Sequence, residues 1–267
     1  MKITQALNPL FLYRNRSRVM PFLEERRKRI VRHRKLGPYH NRHRGNRCFI
    51  IGNGPSLTVV DLEKLSSELT FAANKIYLAF DQTEWRPSYY VLEDDHIIRQ
   101  HVAEIRKLKG FVKFVSGDWE QSWGADRETI FYPREILSRE DFPGFSDNPY
   151  HFLYCGYMVT YISLQLAFFM GFNNVFLIGV DFSYSLTSQG VNTVSYDKDY
   201  PQDHFIPDYF RPGKSLHVPQ VDRAREAMIC AREFYEARGR KIWNATRGGQ
   251  LEVFERISLE EALNQKR

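Results

Sequence analysis

The sequence predicts an α/β fold: a mostly parallel sheet with helices on both faces, preceded by a basic N-terminal helical extension. Three observations carry this. Short apolar runs alternate with segments of helical spacing, the pattern of strand–helix–strand units. The first run ends in a glycine-rich turn, Gly52-Asn53-Gly54-Pro55-Ser56. Residues 151–180 contain no Asp, Glu, Lys or Arg, so that stretch must be buried. The chain has 267 residues, 43% apolar and 15% aromatic, enough for a large core. That composition excludes a disordered chain, a collagen-like repeat and a disulfide scaffold. Cys48, Cys155 and Cys230 are far apart and form no CxxC pair, which points to a reduced, cytoplasmic setting and away from a zinc–thiolate site.

Residues 1–46 read as a basic extension and residues 47–267 as one α/β domain. A helix is expected through Phe22, Leu23, Ile30 and Val31, ringed by arginines and ended by Gly37-Pro38. Charge divides the chain sharply. Residues 1–47 hold fourteen Lys/Arg and two Glu, while the remainder holds 24 basic and 30 acidic residues and is mildly acidic. The basic segment suits an anionic membrane surface, at the inner face of a membrane. No motif for reading nucleic acid accompanies it, so no nucleic-acid partner is expected.

In the domain, Arg47–Ile51 reads as a buried first strand, and Leu57, Val60, Leu62 and Leu65 as the helix after it. Further strands are expected at Thr70–Ala73, Tyr89–Leu92, Gly110–Val115 and Val175–Val180. Phe152–Phe172 is long enough to span a bilayer. Its Gly156, Thr160, Ser163, Gln165 and Gly171, and the apolar run that follows, favour a buried helix leading into a buried strand. A last long helix over Val221–Ala237 and a late strand over Lys241–Trp243 complete the pattern.

Candidate chemistry collects after the strands, where open parallel sheets bind ligands. The Gly52–Ser56 turn, entering a helix, offers backbone amides and a helix dipole to a phosphate, with Asn53 and Ser56 able to add bonds. It matches neither the dinucleotide nor the Walker pattern. Asn74 ends the second strand, and Glu93, Asp94 and Asp95 end the third. The acidic residues can hold Mg²⁺ or cap the next helix. Asp181 has the corresponding place after Val175–Val180. Cys155-Gly156 precedes the buried helix, with Cys155 read as a small buried residue rather than a nucleophile. The irregular stretch from Ser183 to His217 has the character of a lid or binding loop. In it His204 or His217 can act as a base, and Arg211 and Lys214 can neutralise phosphate. Asn244 and Thr246 suit a base- or ribose-binding loop.

Ile50–Leu57, Asn74, Trp85–Asp94, Gly179–Phe182, Asp203–Phe205 and Asn244–Phe254 together resemble the hydroxymethylpterin diphosphokinase-like family, which includes motility accessory factors. The resemblance covers about residues 47–257. The first turn and the Gly-Val-Asp-Phe segment are also similar to bacterial lipooligosaccharide sialyltransferases, which use CMP-sialic acid without a metal. The resemblance implies a Rossmann-like nucleotide site with Asn53, Asn74 and Asp94 on the nucleotide. Cys155-Gly156 matches the Ser-Gly pair of those enzymes, Tyr184 is the best match to a phosphate-binding tyrosine, and Asp208 falls where their catalytic histidine stands. The resulting expectation is a glycosyltransferase of cell-surface polysaccharide or lipopolysaccharide synthesis. It would take a nucleotide-sugar donor and a glycan or lipid-linked acceptor, require no cofactor, and possess a surface open to homo-oligomers. The rival readings are a diphosphokinase using ATP and Mg²⁺ on Asp94 and Asp95, and a nucleotide-binding protein without catalysis.

Overall fold

The structure is a computed structural model that describes residues 27, 30–124, 126–185, 193–195, 203–207, 209 and 215–265. Its centre is an eight-stranded parallel sheet. Five strands run outward in chain order from β1 (Arg47–Ile51) through β2 (Thr70–Ala73), β3 (Tyr89–Leu92) and β4 (Val112–Ser116) to β5 (Thr129–Tyr132). A short parallel pair, β6 (Arg134–Glu135) and β7 (Leu153–Tyr154), follows outside the sheet. The chain then returns to the other side of β1, where β8 (Asn174–Ile178) pairs with it from Arg47↔Asn174 to Ile51↔Ile178. A two-stranded antiparallel ribbon, β9 (Thr193–Ser195) with β10 (Ser215–His217), interrupts the series. The sheet ends with β11 (Lys241–Asn244) and β12 (Glu255–Arg256). The direction of progression reverses between β1 and β8, and such a switch point opens a crevice beyond the carboxyl ends of its strands.

Alternation of side chains across the sheet divides the core in two. Cys48 and Ile50 of β1 face a layer that includes α3 (Val159–Phe169) and α4 (Val221–Glu236). Phe49 and Ile51 face the other layer, with α1 (Val59–Lys64), α2 (Asp95–Ile105) and α5 (Leu259–Asn264). Phe49 stacks on Phe176 of β8 with ring centroids 5.1 Å apart. The uncharged stretch resolves into β7, α3 and β8, and Thr160 to Phe169 are all buried. Gln165 survives there because its amide is fully used. Its oxygen accepts from Ser146 N and Tyr154 N, and its nitrogen donates to the Tyr154 and Tyr161 carbonyls. Among the described residues no helix is long and apolar enough to cross a membrane.

Three details differ from expectation. The glycine-rich turn does not run straight into a helix: α1 begins at Val59, where Thr58 and Asp61 close a capping box, and Pro55 lies in the intervening turn. Strands β5 and β12 carry no apolar run long enough to announce them.

The third concerns the basic segment. Its first part lies outside the described residues, but residues 30–46 pack on the end of the sheet opposite the crevice. A helix over residues 30–36 leads into a 3-10 turn, Gly37–Tyr39. Asn41, His43 and Gly45 donate backbone hydrogen bonds to Phe169, Met170 and Gly171 at the end of α3. The His43 ring lies 2.6 Å from the Tyr89 hydroxyl and stacks on Phe172, and Leu36 is fully buried. Leu36→Ala is therefore expected to cost about 2–5 kcal/mol, as for other buried leucines. Urea unfolding of the full chain measures this, and an unchanged midpoint would show that the segment does not belong to the folded unit.

Candidate functional site

The ends of β1 and β8 approach so closely that only glycine fits. Gly52 N donates to Ile178 O and Gly54 N to Gly179 O, at 2.8 and 2.9 Å. A Cβ on Gly52 would lie 2.2 Å from Gly179 O, and one on Gly54 1.9 Å from Asp181 Oδ2. These two amides, expected on a phosphate, are occupied by the neighbouring turn. Ser56 is similarly engaged: its N–H and hydroxyl donate to the Asp181 carboxylate at 3.2 and 2.8 Å. Burial raises the Asp181 carboxyl above its ordinary range, and the Ser56 bonds oppose the rise.

Beside this junction lies a cavity of about 470 Å³, walled by the ends of β1, β2, β3 and β8, by the start of α3, by Asp203, His204 and Tyr209, and by His217 to Gln220. It unites Gly52, Asn53, Gly54, Asn74, Asp94, Asp95, Cys155, Asp181, Tyr184, His204 and His217. Ser56, Gly156, Asn244 and Thr246 do not line it. Gly156 is needed for packing, since a Cβ there would meet the Tyr161 ring at 2.4 Å. Asn244 Nδ2 donates to Leu251 O, and the Thr246 hydroxyl accepts from Val180 N, so this pair braces the β8 turn instead of holding a base or ribose. Asp208, Arg211 and Lys214 lie outside the described residues.

Two acceptors in the cavity wall are buried and have no partner among the described residues: Asn53 Oδ1 and Asn74 Oδ1. Asn53 Nδ2 donates to Ala73 O at 3.1 Å, which fixes the orientation of that amide, and Asn74 lies beside the Tyr209 hydroxyl. Asn74 also has a left-handed backbone, with φ 54°. Across the cavity α3 starts at Met158 without a side-chain cap, and Val159 and Thr160 line the wall. The positive end of an eleven-residue helix thus faces the same space.

The acidic trio after β3 separates into different roles. Asp94 Oδ1 caps α2 by accepting from His96 N and Ile97 N. Asp95 accepts from Trp119 Nε1 at 2.7 Å and from Arg134 Nη2 at 2.8 Å. Burial acts to raise the Asp95 carboxyl, but these two donors outweigh it and hold it low. Of the two carboxylates expected to hold Mg²⁺ in the rival reading, Asp95 has both oxygens engaged by protein donors and Asp94 has one, so a metal ion there would have to displace a donor. Glu93 is 9% exposed and lines the cavity. Burial pushes its carboxyl up to about 7, with the Cys155 thiol hydrogen bond and the Arg134 charge offsetting part of the rise. The Cys155 thiol is itself raised by burial, then by Glu93, and stays protonated, so it is no nucleophile.

The two histidines differ in their settings. The His204 ring lies flat on Tyr209 at 3.7 Å, and burial lowers it to about 4, leaving a weak base at neutral pH. His217 sits at the exposed rim, edge-on to His96 at 4.1 Å. Tyr184 keeps its proton, pushed up to about 12 by burial and then by Asp181 and Asp203, and so remains a donor.

A family model described as 6-hydroxymethylpterin diphosphokinase MptE-like matches residues 23–187. The chain belongs to this family. The match takes in β1 to β8 and the cavity residues from Asn53 to Tyr184, whereas His204 and His217 fall beyond it. It also begins within the basic segment, before β1. Among curated proteins none matches the chain.

Two predictions follow from this geometry. Gly52→Ala should cost about 3 kcal/mol or more, because the added methyl meets a backbone carbonyl that cannot turn aside; equilibrium unfolding measures it. The second concerns pH. A carboxyl raised from 4.5 to about 7 by folding keeps its proton while the unfolded chain loses one. Stability should thus fall as pH rises across that window, by about 3 kcal/mol from this group. Glu93→Gln should remove that slope, seen as denaturation midpoints that diverge from wild type between pH 5 and pH 8.

Proposed function

We propose that the chain is a nucleotide-dependent transferase that binds a nucleotide-activated sugar in this cavity and passes the sugar to a hydroxyl of a glycan or lipid-linked acceptor. The observation that carries the reading is the pair of buried acceptors, Asn53 Oδ1 and Asn74 Oδ1. An unsatisfied buried acceptor costs about 1–3 kcal/mol, which a ligand bearing N–H or O–H donors recovers. A base with an exocyclic amine, or a ribose diol, supplies such donors side by side. The start of α3 and the Tyr184 hydroxyl then suit the phosphate. The volume of about 470 Å³ is that of a small-molecule site. Likeness of the first turn to sialyltransferases favours a CMP-linked sugar.

A second reading comes from the family's description. A diphosphokinase would bind ATP in the same cavity and move a diphosphate to a pterin-like alcohol. It requires an arrangement of Asp94 and Asp95 other than the one seen, which favours the sugar transferase. The membrane face remains part of the proposal: the arginines of residues 1–46 would hold the enzyme near lipid-linked acceptors.

Thermal unfolding with CMP, UDP, GDP and ATP, each with Mg²⁺ and with EDTA, tests the site. A nucleotide present at 100 times its Kd should add about 2.7 kcal/mol of stability. Asn53→Ala and Asn74→Ala should each weaken that ligand about tenfold. Stabilisation by ATP alone, lost in EDTA, would favour the diphosphokinase. No stabilisation by any of the four would refute a nucleotide site.

A further inference from the structure

We propose that Glu93 is the general base that takes the proton from the attacking hydroxyl, a role that rests on the transferase reading above. The other candidates in the cavity are engaged. Asp94 caps α2, Asp95 is held by Trp119 and Arg134, and Asp181 receives both Ser56 donors. His204 lies face to face with Tyr209, and His217 lies at the rim against His96.

Glu93 differs from all of these. It is the first residue past β3, nine-tenths buried yet in the cavity wall, and its carboxyl receives a hydrogen bond from the Cys155 thiol, a weak donor. The strong donors near it are directed elsewhere. The Tyr132 hydroxyl donates to Leu92 O at 2.9 Å. Arg134 pairs with Asp95 and Asp118 and reaches only the Glu93 backbone carbonyl, at 3.4 Å. Cys155 stands just before α3, so the carboxyl lies next to the place where the helix faces a phosphate. Burial brings the group to about 7, where its ionised form is populated at neutral pH and still basic enough to accept a proton.

In the step, the acceptor hydroxyl gives its proton to the Glu93 carboxylate as its oxygen bonds to the anomeric carbon. The bond from that carbon to the donor phosphate breaks, and the electron pair leaves on the phosphate oxygen, facing the first-turn amides of α3 and the Tyr184 hydroxyl. Glu93 then returns the proton to solvent.

The test uses the full chain and the sugar conjugate of whichever nucleotide stabilises it, reading release of free nucleotide. Glu93→Gln should lower kcat at least about 100-fold while the nucleotide Kd stays within about twofold. Glu93→Asp should restore part of the rate. Cys155→Ala should move the acid limb of the pH–rate profile upward, since the thiol bond favours the charged carboxylate. Should Glu93→Gln fail to fold, the Asp and Cys155 variants decide through the same profile. Wild-type turnover in Glu93→Gln, or an acid limb unmoved in Cys155→Ala, overturns the assignment of Glu93 alone. A wild-type chain that binds none of the four nucleotides, or binds one and releases none from its conjugate, overturns Glu93 together with the transferase reading.

Discussion

The contact on which the site depends is the approach of two backbone turns at the middle of the sheet. Gly52 and Gly54 donate into the turn after β8, and Ser56 ties Asp181 to the turn after β1. No side chain fits between them at Gly52, where a Cβ would lie 2.2 Å from a carbonyl oxygen. This closes the floor at the point where the strand order reverses. It also commits the glycine amides to structure, so a ligand in the cavity would meet what stands around the junction: two asparagines on one side and the start of α3 on the other.

The same economy governs charge. Each carboxylate in the cavity wall, Glu93 apart, accepts from strong donors of its own element or a neighbouring one, which fixes its orientation. Glu93 is buried with a thiol beside it, so its proton is the labile one. The opposite end of the sheet is closed by residues 36–45, where imidazole and phenol rings cover the strand entrances and three backbone bonds join the segment to the end of α3. The charge count that marks residues 1–47 as distinct is blind to this, because Leu36, Tyr39 and His43 do the packing while Arg34, Arg42 and Arg44 are exposed.

Much of the fold was legible because central parallel strands are buried on both faces and so leave continuous apolar runs. Thr70–Ala73 and Tyr89–Leu92 coincide with their expected limits, and Val221–Ala237 is one residue longer than the helix observed. Strand β12, with both residues exposed at the sheet edge, leaves no such trace. The two-residue pair β6–β7 is too short to show a period. In the site, position was legible and role was not. Asn53 and Asn74 were expected on the nucleotide and stand in the cavity wall with buried oxygens that have no partner among the described residues, whereas Ser56, Asn244 and Thr246 became braces. Glu93 was visible only as one of three adjacent acids.

The sequence alone determined the class of fold and the edge of the sheet where the candidate polar residues gather. Both follow from local pattern, the run of apolar residues and the polar residue that ends it. Which of those polar residues are free was decided by tertiary structure. Asp181 is satisfied by a serine 125 positions away, and Asp95 by an arginine 39 positions away. Hydrogen bonds of that span depend on how strands are ordered in space, and no neighbour in the chain reveals them.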